Sequence, residues 1–265
     1  MFDVRRKIRH RSSCKPPVLW YNEENAKEAN SMTISGLQKM TLLDFPGKVA
    51  CTVFLQGCNY RCPFCHNSEL LEGPGEPVMS KAELLAFLKK RMGLLDGVCI
   101  SGGEPTLALD LKELMQEIKA MGYAIKLDTN GSRPAVLKEL VSACLVDYVA
   151  MDIKNSPSRY PQTCGVSKLD LAAIEESIAF LTSGAVDFEF RTTVVSPLHD
   201  VSSIEEMGRW LYQLNGNKPV KILFLQPFVD RDTVAFSGLS APESTQIQAF
   251  AELLKPFVLE IPVRG

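Results

Sequence analysis

The sequence lacks any apolar stretch near the ~20 residues that cross a bilayer as a helix, so a membrane-spanning helix is excluded. It also lacks an excess of one charge sign, because 29 Lys and Arg stand against 31 Asp and Glu and give a formal charge of -2. This balance argues against nucleic acid as a partner. The first 20 residues have no secretory pattern, so we predict a cytoplasmic protein without a membrane partner.

A disulfide scaffold is excluded by chain length and by the placement of the cysteines, since such scaffolds belong to short secreted chains. Three of the eight cysteines, Cys58, Cys62 and Cys65, lie within eight residues, and the other five are scattered. In a reducing compartment the group of three predicts a metal site. The scattered thiols are typical of small core residues.

Residues 1–31 differ in composition from the rest of the chain. They contain seven Lys or Arg against four acids, and their start, VRRKIRHRSSCKPP, has neither a helical nor a strand period. We predict a basic, poorly ordered N-terminal extension, with a nucleic-acid arm as the alternative. No linker or repeat follows, so we predict one domain over residues 32–265.

From residue 48 onward, apolar strand-like runs alternate with helical patterns about six times. This alternation predicts an α/β fold with a parallel sheet and outer helices. Six units fit an open, partial (β/α)6 TIM-like barrel, and a doubly wound sheet is the alternative. The predicted strands are 48–56, 97–101, 124–128, 147–153, 187–194 and 220–225, and the predicted helices are 80–92, 109–121, 134–143, 170–182, 203–214 and 242–254.

The unusual residues of the sequence cluster at the carboxyl ends of these predicted strands. Ligands bind at that edge in barrels and in open α/β sheets, so six segments are predicted to converge on one site. The segments are, in strand order, GCNYRCPFCHN (57–67), SGGEPT (101–106), DTNG (128–131), MDIK (151–154), Arg191, and the Leu225, Gln226 and Pro227 end of the sixth strand.

The spacing Cys58-x3-Cys62-x2-Cys65 lets three thiolates bind three irons of a cubane cluster, which leaves the fourth iron open to a small molecule. A zinc ion with His66 as fourth ligand is the alternative, although the adjacent Cys65 and His66 are an awkward pair for one tetrahedron. A zinc-dependent binding module is therefore the competing function from a different class.

The cysteine motif with Phe64 before its last cysteine, followed by GGEP after the next strand, resembles the radical S-adenosylmethionine (SAM) enzymes. Residues 34–67, together with DTNG and DIK, resemble more narrowly the activating enzymes of glycyl-radical enzymes, above all those of anaerobic ribonucleoside-triphosphate reductase. The resemblance implies one [4Fe-4S] cluster and an oxidoreductase that cleaves SAM to methionine and a 5′-deoxyadenosyl radical. Because the cofactors carry this chemistry, no side chain is assigned as catalytic.

The partner implied by the resemblance is a large glycyl-radical enzyme, and among such enzymes we expect anaerobic ribonucleotide reductase. A flavodoxin or a ferredoxin-type protein is the implied electron donor. Activation of pyruvate formate-lyase or another glycyl-radical enzyme is the alternative within the class. Direct action on a small molecule or peptide is a further one.

The resemblance also assigns residues to SAM. Lys154 is expected to bind the SAM carboxylate and Asp152 the ammonium or ribose, with a surface ion pair between them as the alternative. Arg191 is expected to hold the nucleoside or substrate, or to form a salt bridge within the barrel. The full set assigned to SAM is Phe64, Cys65, His66, Gly102, Gly103, Glu104, Thr129, Asn130, Asp152, Ile153, Lys154 and Arg191.

Two further features follow from the resemblance. Asp128, Thr129, Met151 and Asp152 resemble the monovalent-cation site of formate-lyase activases, although Asp128 could simply cap its loop. Those activases end their last strand with Pro, an aromatic residue and a His that meets the cofactor, whereas Val229 follows Pro227 and Phe228 here. We expect Gln226 as a substitute for the histidine, and the change favours a partner other than formate lyase. No closely spaced cysteines follow Cys65, which predicts a single cluster.

Overall fold

The computed structural model describes residues 32–71, 77–234 and 236–264. The predicted N-terminal extension, residues 1–31, lies outside these residues. One sheet of eight strands is flanked by seven α-helices within the described part of the chain. The strands are β1 (Ile34–Thr41), β2 (Ala50–Leu55), β3 (Gly97–Gly102), β4 (Ala124–Thr129), β5 (Tyr148–Asp152), β6 (Asp187–Val194), β7 (Val220–Pro227) and β8 (Val258–Glu260). The helices are α1 (Lys81–Lys90), α2 (Leu111–Ala120), α3 (Pro134–Ser142), α4 (Tyr160–Cys164), α5 (Leu171–Thr182), α6 (Val201–Leu214) and α7 (Ser244–Leu254).

The eight strands lie in the sheet in the order of the sequence, with β1 antiparallel to β2 and all later pairs parallel. No ladder joins β1 to β8 among the described residues, so the sheet stays open at its two edges. Neighbouring helices pack side by side, α1 on α2, α3 on α5, α5 on α6 and α6 on α7. The predicted α/β fold with an open, mostly parallel sheet is confirmed.

Local sequence signals account for these elements. Strands β2 and β3 are apolar on both faces, as expected of a parallel sheet covered on both sides, and Val53, Val98 and Ile100 are fully buried. Helix α1 begins after Ser80, whose hydroxyl accepts a hydrogen bond from the Glu83 backbone while the Glu83 carboxylate binds the Ser80 N–H. This capping box sets the start of the helix where the sequence predicts it.

Three elements were not predicted from the sequence: β1, α4 and β8. Strand β1 has three consecutive exposed residues among its eight and therefore shows no clean two-residue period. Helix α4 has only five residues, and β8 only three, so neither is long enough to show a period. The structure thus adds an antiparallel edge strand and a short helix directly after β5.

The parallel register brings the carboxyl ends of β2 to β7 to one edge of the sheet. Leu55 pairs with Gly102, Thr129 with Met151, and Asp152 with Arg191. The six segments singled out in the sequence therefore leave the sheet on the same side. In residues 32–71, 77–234 and 236–264 no helix is long and apolar enough to cross a membrane.

Candidate functional site

A cavity of about 200 Å³ lies at the carboxyl edge of the sheet and opens to solvent. From the residues that the sequence assigns to the site, the lining contains Cys58, Cys62, Phe64, Cys65, His66, Gly102, Gly103, Asp128, Thr129, Asn130, Asp152, Lys154 and Arg191. Five more residues line the cavity without having been assigned a role individually. Tyr60, Asn67 and Ser101 lie in segments that were predicted to converge on the site, whereas Leu71 and Thr193 do not belong to the segments given above.

The three cysteines are held in a loop that folds over its own backbone after β2. The Arg61 guanidinium donates to the carbonyls of Cys58 and Tyr60 at 2.6 and 2.8 Å, and the Cys65 N–H donates to the Cys62 carbonyl at 3.1 Å. The three thiols are free and line the same cavity. The loop thus presents them together, as the spacing predicts.

The chemistry of these donors fits a metal cluster. Burial raises the pKa of Cys58 to about 12 and also raises the pKa of Cys65, so coordination to a metal is what would hold these sulfurs as thiolates. No group of three or more His, Cys, Asp or Glu surrounds a single ion position within the described chain. A cubane binds each thiolate at a different iron and therefore takes ligands that stand farther apart than those of one zinc ion.

His66 is engaged elsewhere, which weakens the zinc alternative further. Its Nε2 lies 2.7 Å from the Val229 carbonyl and donates to it, and its ring stacks on Phe228 with centroids 5.7 Å apart. The segment after β7 therefore lies against the cysteine loop, and His66 of that loop makes the contact. Gln226, the expected substitute for the missing histidine, is not part of the cavity lining.

A fourth cysteine, Cys164 at the end of α4, supports the loop from behind. Its carbonyl accepts the Arg61 N–H at 2.8 Å, and a Cβ on the next residue, Gly165, would stand 2.0 Å from the Arg61 carbonyl oxygen. The neighbouring Cys164 thiol lowers the pKa of Cys62, while burial raises the pKa of Cys164 itself. Cys164 is isolated in the sequence, so no local pattern could have predicted this contact.

Gly102 and Gly103, at the end of β3, allow the next loop to lie against the cysteine loop. A Cβ on Gly103 would stand 2.0 Å from the Gly57 carbonyl oxygen, and one on Gly102, whose φ is +122°, would stand 2.2 Å from the Leu55 oxygen. Both residues also line the cavity. The glycines were predicted to admit a ligand, and the structure shows that backbone packing requires them as well.

Glu104 was predicted to contact SAM, but its side chain lies behind the cavity wall and only 1% of the residue is exposed. Its carboxylate accepts hydrogen bonds from the Thr129 hydroxyl at 2.8 Å, the Asn130 N–H at 2.6 Å and the Thr106 N–H at 3.2 Å. Burial raises the pKa of Glu104, and these donors oppose the rise. The carboxylate joins the loop after β3 to the loop after β4, which holds two lining residues in place.

Replacing Glu104 with glutamine should therefore destabilise the protein. One carboxylate oxygen would become an amide N–H₂ group, which cannot accept hydrogen bonds from the donors around it. We expect the free energy of unfolding to fall by about 2 kcal/mol. Thermal unfolding of the metal-free protein measures this effect. Glu139→Gln is the matched control, because Glu139 is an exposed partner of Lys112 and its loss should change stability little. Equal effects of the two substitutions would contradict the assigned role of Glu104.

The charged residues of the cavity wall bind one another. Asp152 accepts from Lys154 Nζ at 2.9 Å and from Arg191 Nε at 3.0 Å. Burial alone would raise the pKa of Asp152, but the charges of Lys154 and Arg191 outweigh it and hold the pKa at about 2. Burial would likewise lower the pKa of Lys154, and the Asp152 carboxylate raises it instead. The wall is therefore an ionised network at neutral pH.

Ile153 differs from its charged neighbours. Its side chain is fully buried in the hydrophobic core and is absent from the cavity lining, although its sequence position assigned it to SAM. Its N–H donates to the Arg191 carbonyl at 2.8 Å. Because side chains alternate across a strand, the residue between Asp152 and Lys154 points to the other face.

Comparison with known proteins identifies the family. The sequence model of the Radical SAM superfamily matches residues 52–211. A Methanocaldococcus jannaschii protein named as a putative glycyl-radical enzyme activating enzyme is 29% identical over 239 residues, which cover 87% of this chain and 95% of that protein. A probable GTP 3′,8-cyclase of Thermococcus kodakarensis is 31% identical over 149 residues, 55% of this chain and 47% of that protein.

The fold is shared with solved structures as well. A domain of pyruvate-formate lyase-activating enzyme from Bacteroides vulgatus superposes with a TM-score of 0.51 at 20% identity, over 64% of this chain and 99% of that domain. The sequence match to the superfamily spans more than half of the chain and runs from β2 through α6. It therefore contains the cysteine loop and the charged wall described above. The chain belongs to the radical SAM superfamily.

Proposed function

We propose that this protein is an activating enzyme that uses SAM and a [4Fe-4S] cluster to generate a glycyl radical on a partner enzyme. The observation that carries the proposal is the convergence of three free thiols and an ionised wall on one cavity. The relative from Methanocaldococcus jannaschii supports the activase class, because the similarity extends over 95% of its length.

In this proposal Cys58, Cys62 and Cys65 hold three irons of the cluster. The chemistry that the cluster and SAM supply when bound is one-electron reductive cleavage of the SAM sulfonium, which yields methionine and a hydrogen-abstracting radical. The protein positions the reactants and excludes water around them. The buried thiols need the metal to become thiolates, so cluster binding releases protons.

The charged wall would orient SAM. Lys154 and Arg191 offer positive charge to the SAM carboxylate, and the Asp152 carboxylate offers an acceptor to its amino group or ribose. Because the three already form a network, SAM would exchange some of these contacts rather than fill an unpaired site. Asn130, with its side chain held by Asn59 at 2.9 Å, presents a polar group at the same rim.

Anaerobic ribonucleotide reductase is the partner that we propose, with a flavodoxin or a ferredoxin-type protein as electron donor, all in the cytoplasm. The formate-lyase activases have a histidine after their last strand, and its absence after β7 supports a partner other than formate lyase. Val229 stands at that position here, and its backbone carbonyl binds His66. The open sheet leaves access for a glycine-bearing loop of a large enzyme.

Anaerobic reconstitution with iron, sulfide, dithionite and SAM tests the proposal. Mixed with anaerobic ribonucleotide reductase, the protein should produce a glycyl-radical signal in electron paramagnetic resonance, together with 5′-deoxyadenosine. A radical on formate lyase but not on the reductase would overturn the choice of partner. Deoxyadenosine without a radical on either enzyme would overturn the activase function itself.

A second candidate function is direct action on a small molecule, which the similarity to a GTP 3′,8-cyclase favours. That similarity covers only 47% of the cyclase, whereas the similarity to the activase-like relative covers nearly all of it. Incubation with SAM, dithionite and GTP, without any partner protein, distinguishes the two. A modified nucleotide would support the second candidate.

The contact between Cys164 and Cys62 predicts an effect on the cluster. Replacing Cys164 with alanine removes a thiol that can donate a hydrogen bond to the Cys62 sulfur, and the loss of this donor should make the reduction potential of the cluster more negative. A bond of about 1.4 kcal/mol corresponds to a shift of ~60 mV for one electron. A redox titration followed by paramagnetic resonance measures it, with exposed Cys144→Ala as control. An unchanged potential in the Cys164→Ala protein would contradict the prediction.

A further inference from the structure

Strand β4 contains a buried lysine. Lys126 lies between Ile125 and Leu127, and only 1% of the residue is exposed. It is not part of the cavity lining, and its Nζ contacts Oδ1 of Asp128 two residues later on the same face of the strand. A buried ammonium needs a partner of opposite charge, and Asp128 is that partner.

The remaining carboxylate oxygens of this region are also engaged. Oδ2 of Asp128 accepts the Ser101 hydroxyl at 3.0 Å and lies 3.4 Å from Nη1 of Arg191. Arg191 also binds Oδ1 of Asp152, and Lys154 binds its Oδ2. All four oxygens of Asp128 and Asp152 therefore lie within ion-pair distance of a cation of the protein.

The net charge of this region also argues against a bound cation. Three cations, Lys126, Arg191 and Lys154, surround two carboxylates, which gives a net charge of +1 without any bound ion. The nearby buried carboxylate of Glu189 does not change this sum, because Arg264 pairs with it. Burial would raise the pKa of Asp128, but the charges of Arg191 and Lys126 outweigh it and lower the pKa. A sodium or potassium ion would have to displace Lys126 or Arg191 to gain carboxylate ligands.

The third expected ligand is occupied too. The Thr129 hydroxyl donates to Glu104 and accepts the Gly131 N–H at 3.1 Å, which leaves one lone pair. The residues Asp128, Thr129, Met151 and Asp152, which resemble a monovalent-cation site, do not fit a bound cation in this chain.

We infer that the Lys126 ammonium, with the Arg191 guanidinium, neutralises Asp128 and Asp152 in place of a monovalent metal ion, so that this protein binds SAM without sodium or potassium. Lys126 is a positioning residue in this account, since it acts on the cavity through Asp128. The inference concerns SAM binding alone and needs no partner enzyme. Its failure is therefore distinguishable from failure of the activase function.

The first test uses the reconstituted wild-type protein under anaerobic conditions. SAM affinity is measured by calorimetry at constant ionic strength in choline chloride, sodium chloride and potassium chloride. We expect dissociation constants that agree within about twofold, less than 0.5 kcal/mol. A saturable increase in affinity with sodium or potassium would overturn the inference.

The second test removes the ammonium. In choline chloride, Lys126→Ala should weaken SAM binding about tenfold, a change of ~1.4 kcal/mol, because the Asp128 charge is left uncompensated. Potassium, sodium or ammonium should restore the affinity, since alanine leaves room for an ion. Lys126→Met fills that room, so its affinity should not recover.

Thermal unfolding of the same variants gives a readout independent of SAM. The Lys126→Ala protein should gain stability with potassium or ammonium, and the Lys126→Met protein should not. Lys119→Ala, which removes a surface partner of Asp147, is the control for loss of a lysine. Salt-independent behaviour of Lys126→Ala, with wild-type SAM affinity, would contradict the role given to Lys126. If neither variant folds, the wild-type salt series alone decides.

Discussion

Replacing Cys58 with alanine is expected to leave the protein unable to cleave SAM after anaerobic reconstitution. The substituted protein would hold the cubane with two thiolates instead of three. The loss of activity should exceed about 100-fold, since substitutions outside the ligand shell of metal sites already cost 10–100-fold. Iron and sulfide content and the yield of 5′-deoxyadenosine measure the effect together.

Cys144→Ala is the matched control for this substitution, because Cys144 is an exposed thiol outside the cavity. It should retain the iron, the sulfide and the deoxyadenosine yield of the wild type. Circular dichroism of the metal-free proteins separates loss of the cluster from loss of the fold. Wild-type iron content and SAM cleavage in the Cys58→Ala protein would contradict the assignment of the three thiols.

Replacing Gly103 with alanine is expected to have a large effect although it removes no ligand. The new Cβ would stand 2.0 Å from the Gly57 carbonyl oxygen and 3.2 Å from Cys58 Cβ, so the cysteine loop must move. Because the obstruction is backbone, we expect a loss of about 3 kcal/mol in the free energy of unfolding, with reduced cluster occupancy.

Gly184→Ala provides the comparison, since Gly184 has a φ of +84° with no atom near its added Cβ. Its cost should be the backbone strain alone, about 1 kcal/mol. Denaturant unfolding of the metal-free proteins and iron content after reconstitution are the two measurements. A Gly103→Ala protein that matches Gly184→Ala in stability and the wild type in iron content would show that the two loops are not tightly packed.

The fold could be predicted because its parallel strands are buried on both faces. Residues 97–101 form an apolar run, whereas in residues 187–194 apolar side chains alternate with polar ones at first, and both patterns are recognisable as strands. The helices between the strands begin at recognisable caps. Strand β1 could not be predicted, since an antiparallel edge strand with exposed residues has no clean period. Helix α4 is too short for a helical period to show.

The site could be predicted as a set of segments, but the direction of individual side chains could not. Parallel strands place their carboxyl ends together, so the cavity follows from the topology. Glu104 lies two residues beyond the end of β3, where the alternation of the strand no longer applies, and its side chain points inward. Ile153 lies one residue beyond the end of β5, but its N–H still bonds the neighbouring strand β6, so the alternation continues there and separates it from Asp152 and Lys154.

The buried ion pair of Lys126 could have been predicted from the sequence. A lysine between two apolar strand residues, two positions before an aspartate, shares the aspartate's face and predicts a buried ion pair. Cys164 carries no such signal, because its contact with Cys62 depends on the packing of α4 against the cysteine loop. Contacts between distant segments of this kind need the structure.

Paramagnetic resonance of the dithionite-reduced, reconstituted protein with and without SAM tests the central claim most directly. The account predicts one [4Fe-4S] cluster whose signal changes when SAM is added, with methionine and 5′-deoxyadenosine formed in equal amounts. A protein that binds zinc without iron, or a reduced cluster whose signal SAM leaves unchanged and which yields no deoxyadenosine, would contradict it.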